Sequence, residues 1–137
     1  MLDQPHGADI LDAVSRLLRD TLMPRLPPDT VFQARVAANA LDLVAREIRF
    51  GENVEREARQ RLQALLNRDG SLQELERELS LRIRNGELDL QSEGLAEHLW
   101  QTTLAKMKID QPNYAGYRRE LQARAGQEQQ QQTKTEE

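Results

Sequence analysis

Between residues 30 and 50 the chain places Val31, Phe32, Ala34, Val36, Ala37, Ala38, Ala40, Leu41, Leu43, Val44, Ala45 and Ile48 within about six helical turns. An apolar surface this wide cannot be covered by one neighbour, and small alanines let other helices approach closely. The segment therefore predicts a central, Ala-rich helix packed by several others, and Gly51 suits the C′ position that would end it.

The rest of the chain supplies partners of the same kind. Ile10, Leu11, Val14, Leu17, Leu18 and Leu22 follow the rhythm of an amphipathic helix from about Gly7 to before Pro24. Pro24, Pro27 and Pro28 then require an extended connector, with Asp29 or Thr30 as a cap. A third helix over about 53–67 turns Val54, Ala58, Leu62, Leu65 and Leu66 inward and pairs Glu55 with Arg59 and Glu57 with Arg61 on its outer face. Ser71-Leu72-Gln73-Glu74 is a capping-box sequence that opens a fourth helix ending at Asn85-Gly86. A fifth, with Ser92 as its cap, carries Leu95, Leu99, Trp100, Leu104 and Met107 and stops at or before Gln111, ahead of Pro112. Trp100 is expected in the core, and Tyr114 and Tyr117 folded back onto the bundle.

No strand-like alternation and no convincing repeat occurs. The expected fold is all-α: a compact five-helix bundle over residues 1–117, followed by a Gln/Glu-rich C-terminal tail over 118–137. Beyond Leu121 there is too little apolar surface to offset ordering entropy, so the tail is expected to be disordered, or at best a frayed helical extension.

Composition removes several chemistries. The chain has no cysteine, which excludes disulfides, thiolate metal sites and cysteine nucleophiles. Its two histidines, His6 and His98, sit in no metal-ligand spacing, so neither a metal nor a cofactor is expected. His98 is expected at the surface or partly buried, without a catalytic partner. The net charge of −4 is spread without a concentrated basic patch, which argues against nucleic acid. With neither a signal-peptide pattern nor a stretch of about 20 apolar residues, a cytoplasmic protein that does not enter membranes is expected. There is no G-x-S-x-G or phosphate-loop motif, and Asp69-Gly70-Ser71-Leu72 has the wrong spacing for an acyl-carrier attachment site.

The clearest polar constellation lies on the central helix. Arg35, Asn39, Asp42, Arg46 and Arg49 recur at spacings of 4, 3, 4 and 3, which puts them on one stripe. Such a stripe can grip a carboxylate, a phosphate or an acidic partner, or serve simply as a solvated face with Asp42 and Arg46 paired. Lys106, Asp110, Asn113 and Tyr114 form a second group, which can bind at the surface or merely complement a helix end. No residue is singled out as catalytic.

The central run Phe32-Gln33-Ala34-Arg35-Val36-Ala37-Ala38-Asn39-Ala40-Leu41 resembles the signature of a bacterial family of small helical proteins of unknown function. Gln4-Pro5 leading into Ile10-Leu11-Asp12-Ala13-Val14, and Leu104 to Tyr114 with its Gln111-Pro112-Asn113 turn, extend the likeness over about residues 3–114. Gln111 departs from the family's more usual Asp-Asn-Pro, in which Asn stands at that position. The resemblance implies a context: such proteins are encoded beside aminoglycoside-phosphotransferase-like kinases and acyl-CoA dehydrogenases, in pathways that phosphorylate a hydroxyacyl-CoA and then eliminate the hydroxyl. It implies a non-catalytic accessory subunit that binds and supports the kinase, with the dehydrogenase as a further partner. The alternative is a small-ligand or acyl-CoA-binding module using Arg35, Asn39 and Arg46. A homo-oligomer through Trp100 or the Leu-rich faces is a third arrangement the sequence allows.

Overall fold

A computed structural model describes residues 4–135. Its five helices are α1 (Gly7–Arg16), α2 (Pro28–Leu66), α3 (Leu72–Arg84), α4 (Leu95–Asp110) and α5 (Ala115–Thr135), and the described residues contain no strand.

The dominant element is α2, 39 residues and about 58 Å long. The two helices expected on either side of Gly51 are one. A glycine in a helix interior costs only about 1 kcal/mol. Helix-favouring Glu55, Arg56, Ala58 and Arg59 follow it, so the helix runs through. The left-handed residue that does end it is Asn67, at φ 47°, whose N–H reaches back to the Gln63 carbonyl. The expected number of helices is met because α5 supplies the fifth.

α1 lies antiparallel along the first half of α2. Asp9 and Asp12 meet Arg49 near one end of the seam, and Arg19 meets Asn39 and Asp42 near the other. The buried residues between them are small: Ala8 and Ser15 face this seam with Ala38 and Ala45. Past Arg16 the helix widens into a π turn over Leu17–Leu22 and tightens into a 3-10 turn over Met23–Arg25, before the extended Leu26-Pro27 connector.

This packing overturns the expected inner faces. Ile10, Val14, Leu17 and Leu22 on the first segment and Phe32, Val36, Val44 and Ile48 on α2 are all 40% or more exposed. The helices meet through their small residues and a polar seam, which permits close approach but leaves the large apolar side chains outside.

The main core lies at the opposite end. Leu62 and Leu66 of α2, Leu75 and Leu79 of α3 and Leu95 of α4 form it, with Leu65, Leu72 and Leu88 packed against them. α3 starts at the expected capping box: Ser71 Oγ accepts from the Glu74 N–H at 3.3 Å while the Glu74 carboxylate accepts from the Ser71 N–H at 2.8 Å. Ser92 does not cap α4. Its Oγ accepts from the Asp89 N–H within the preceding loop, and Gly94, at φ 82°, is the cap. A Cβ there would lie 3.5 Å from Leu65, so Gly94 combines a left-handed turn with close packing onto α2.

Trp100, expected in the core, is 43% exposed, and its indole N–H donates to Glu120 of α5 at 3.1 Å. His98, expected at the surface or partly buried, is buried. Tyr117 folds back and is buried, whereas Tyr114 stays exposed. α5 takes the helical-extension form of the tail. Gln, Glu, Arg and Ala favour helix locally, but past Leu121 they provide no apolar stripe to dock.

Candidate functional site

Two groups far apart in sequence meet where the middle of α2 passes the turn between α4 and α5. A groove of about 540 Å3 is lined there by Arg19, Asn39, Asp42 and Arg46 on one side and by Asp110, Gln111, Pro112, Asn113 and Tyr114 on the other, with Ala40 and Leu43 as its floor. Pro112 stops α4, so the chain turns back at the level of Ala40 and Leu43. Arg46 fixes that turn by donating from Nε to the Ile109 carbonyl at 2.6 Å, satisfying an end-of-helix acceptor.

Of the nine candidate residues, the groove gathers Asn39, Asp42, Arg46, Asp110, Asn113 and Tyr114. It leaves out Arg35, Arg49 and Lys106. Arg49 holds the helical hairpin together, at 2.7 Å from Asp12 and 3.1 Å from Asp9. That hydrogen bond holds the Asp12 carboxyl below its ordinary range and pushes the Arg49 guanidinium up. Lys106 lines a separate cleft with Leu43, Glu47 and Glu55. Arg35 is exposed and has no hydrogen-bonding or ionic partner among the described residues.

The groove's other guanidinium comes from the π turn that follows α1. Arg19 bridges to Asp42 at 2.8 Å and donates to Asn39 Oδ1 at 2.7 Å. Ser15, hydrogen-bonded to Arg19, donates its one hydroxyl proton to Asp42 at 2.5 Å, with the Ala38 carbonyl 3.4 Å from the same oxygen. Sequence reasoning missed both residues, although a signal was present. Ala8, Leu11, Ser15, Leu18 and Leu22 recur at spacings of 3, 4, 3 and 4, so a serine stands in the middle of an otherwise apolar line.

These pairings change what the stripe offers. Two Arg and two Asp line the groove, and Arg19, Arg46 and Asp42 already have protein partners. The groove presents a charge-balanced, hydrogen-bonding surface of amides, carboxylate and phenol, in place of a cationic strip. Among the described residues no three His, Asp or Glu side chains come together as a metal-ligating cluster. No helix of the described residues is long and apolar enough to cross a membrane.

The fold and groove define an all-α domain built on one long helix, with a polar groove at its waist and its apolar surplus at one end. Residues 24–114 match the family described as Domain of unknown function (DUF6285), and the chain belongs to that family. The match takes in α2, α3, α4 and the turn that closes the groove. No curated protein and no solved structure matches the chain.

Proposed function

We propose that this protein is a cytoplasmic, non-catalytic accessory subunit that binds and supports a phosphotransferase-like kinase acting on hydroxyacyl-CoA in acyl-CoA catabolism, with an acyl-CoA dehydrogenase as a further associate. One observation carries the binding part: the α1–α2 hairpin keeps Ile10, Val14, Leu17, Val44 and Ile48 largely outside while it buries alanine and serine. On the helical period Leu41, Val44 and Ile48 fall on the flank of α2 opposite Arg46 and Asn39. Ile48 also lies beside the start of α1, its Cδ1 4.0 Å from where a Gly7 side chain would begin. Exposed apolar faces of this kind mark protein–protein contact. The kinase as partner rests on the family resemblance alone.

Co-expression with the neighbouring kinase followed by size-exclusion chromatography tests the proposal. The two should co-elute, and omission of this protein should lower kinase activity. Val44→Asp should abolish co-elution while leaving the helical circular dichroism unchanged. Separate elution together with unchanged kinase activity would overturn the reading.

A second reading is favoured by the groove, which brings six of the candidate residues together: a small-ligand or acyl-CoA-binding module. Titration of the isolated protein with acyl-CoA thioesters separates the two, because an accessory subunit should show little affinity alone.

A further inference from the structure

A second cleft, remote from the hairpin face, runs between α2, α4 and α5 and encloses about 430 Å3, a volume within the range of small-molecule sites. Phe50, Val54, Leu104 and Leu121 give it apolar walls. Three cations line it: Arg61, Lys108 and Arg124. Arg124 is committed, 2.9 Å from Glu120 and 3.4 Å from Glu97. Neither Arg61 nor Lys108 forms an ion pair among the described residues, although the Arg61 charge reaches the Glu97 carboxylate. Lys108 Nζ sits 4.3 Å above the centre of the Phe50 ring. Glu57, one turn before Arg61, accepts from Asn53 at 2.6 Å, and Glu128 stands at the α5 rim.

Arg61 is the unusual member. Its Nε and Nη2 are both buried and both lack a hydrogen-bond partner. The Nδ1 atom of buried His98 likewise has none, and Arg61 is close enough to disfavour the imidazolium there. Unsatisfied buried donors are costly, and charged ones more so. Nε and Nη2 share one edge of the guanidinium plane, the edge that takes both oxygens of a carboxylate.

We propose that this cleft binds a carboxylate with an apolar body. The Arg61 edge grips the two oxygens, Lys108 adds a second positive charge, and the body of the ligand lies along Phe50, Val54 and Leu104. Arg61 presents its buried edge by turning into the cleft it already lines. α5 is the wall that adjusts, joined to α4 through Glu120 with Trp100 and Arg124 with Glu97. The chain's single tryptophan therefore reports on occupancy.

The test uses octanoate as the probe and the full-length protein, followed by Trp100 fluorescence and amide chemical shifts. Octanoate should bind saturably with shifts centred on residues 50–61, 104–108 and 117–125. Octan-1-ol, with the tail alone, and acetate, with the charge alone, should each bind at least about tenfold more weakly. Arg61→Gln should weaken octanoate by a similar factor with helix content intact, and Arg61→Lys, which keeps the charge but loses the fork, should weaken it too. The inference is overturned if octanoate shows no saturable binding at millimolar concentration, if octan-1-ol binds equally well, or if the shifts centre on residues 39–46 and 110–114. The wild-type comparison of octanoate with octan-1-ol decides the matter even if the Arg61 variants do not fold.

Discussion

The two halves of α2 solve the same packing problem differently. Residues 28–49 are the more apolar by sequence, yet only Ala38 and Ala45 are buried there, against a neighbour held by Ser15, Arg19, Asp42 and Arg49. The second half has fewer apolar residues, but Leu62 and Leu66 sit in a leucine core shared with α3 and α4. Apolar content therefore does not locate the core. What locates it is whether neighbouring helices arrive on the apolar side, and at the N-terminal half α1 and the end of α4 meet the small and polar residues instead. The leucine core belongs to the C-terminal half, and the N-terminal half keeps its large apolar side chains exposed.

The sharpest test compares truncations in the two halves. Leu62→Ala removes a fully buried side chain from the leucine core and should destabilise the fold by about 2–5 kcal/mol in urea titration. Val36→Ala, at a position 52% exposed, should change stability by no more than about 0.5 kcal/mol. Comparable losses at the two sites would erase the distinction. The seam can be challenged in the opposite sense, by enlarging it. Ala38→Leu forces a large side chain between α1 and α2 at a completely buried position and should cost about 1–3 kcal/mol. If the variant is as stable as the wild type by thermal unfolding, the close approach of the two helices is not what holds the hairpin.

The same contrast explains what was legible beforehand. Helix type, the capping box at Ser71 and the stop before Pro112 are written in local chemistry, and the structure shows each of them. The inner face of the first helix was misjudged because periodicity reveals which residues share a side, not which side receives a neighbour. Gly51 misled for a related reason: a permissive residue allows a helix to end without requiring it. The groove was half legible. The α2 stripe and the Asp110–Tyr114 segment stand out separately in the sequence, but only the antiparallel return of α4 along α2 brings them together. Ser15 and Arg19 entered through the α1 seam, which no single-helix pattern displays.

A smaller effect sharpens the assignment of stability to local signals. Ser71→Ala removes one half of the capping box that opens α3 and should cost about 1 kcal/mol, read as a lower urea midpoint with an unchanged slope. A change in slope would mean instead that α3 no longer folds together with the leucine core.

The last distinction is one of pH. His98, on the C-terminal side, has its proton affinity lowered first by burial and then by the Arg61 charge, so the folded protein disfavours its imidazolium. Unfolded, it takes up a proton near the ordinary imidazole value of about 6.5. The unfolded state then binds more protons than the native one, so stability is complete above that value and declines as pH falls below it, down to the folded pKa. Asp12, in the N-terminal seam, has its carboxyl held low by the Arg49 hydrogen bond. Its contribution is present above the ordinary carboxylate value of about 3.9 and is lost only as pH falls through the folded one. Acidification should therefore loosen the two halves in order, the C-terminal half first. Amide exchange followed from pH 7.5 to about 3 should show protection falling at residues 95–105 before it falls at residues 8–19. His98→Leu should remove the earlier step and leave the later one, and Arg49→Gln should do the converse. Loss of protection at both regions in a single step would mean that the hairpin and the leucine core are one cooperative unit, however differently they are packed.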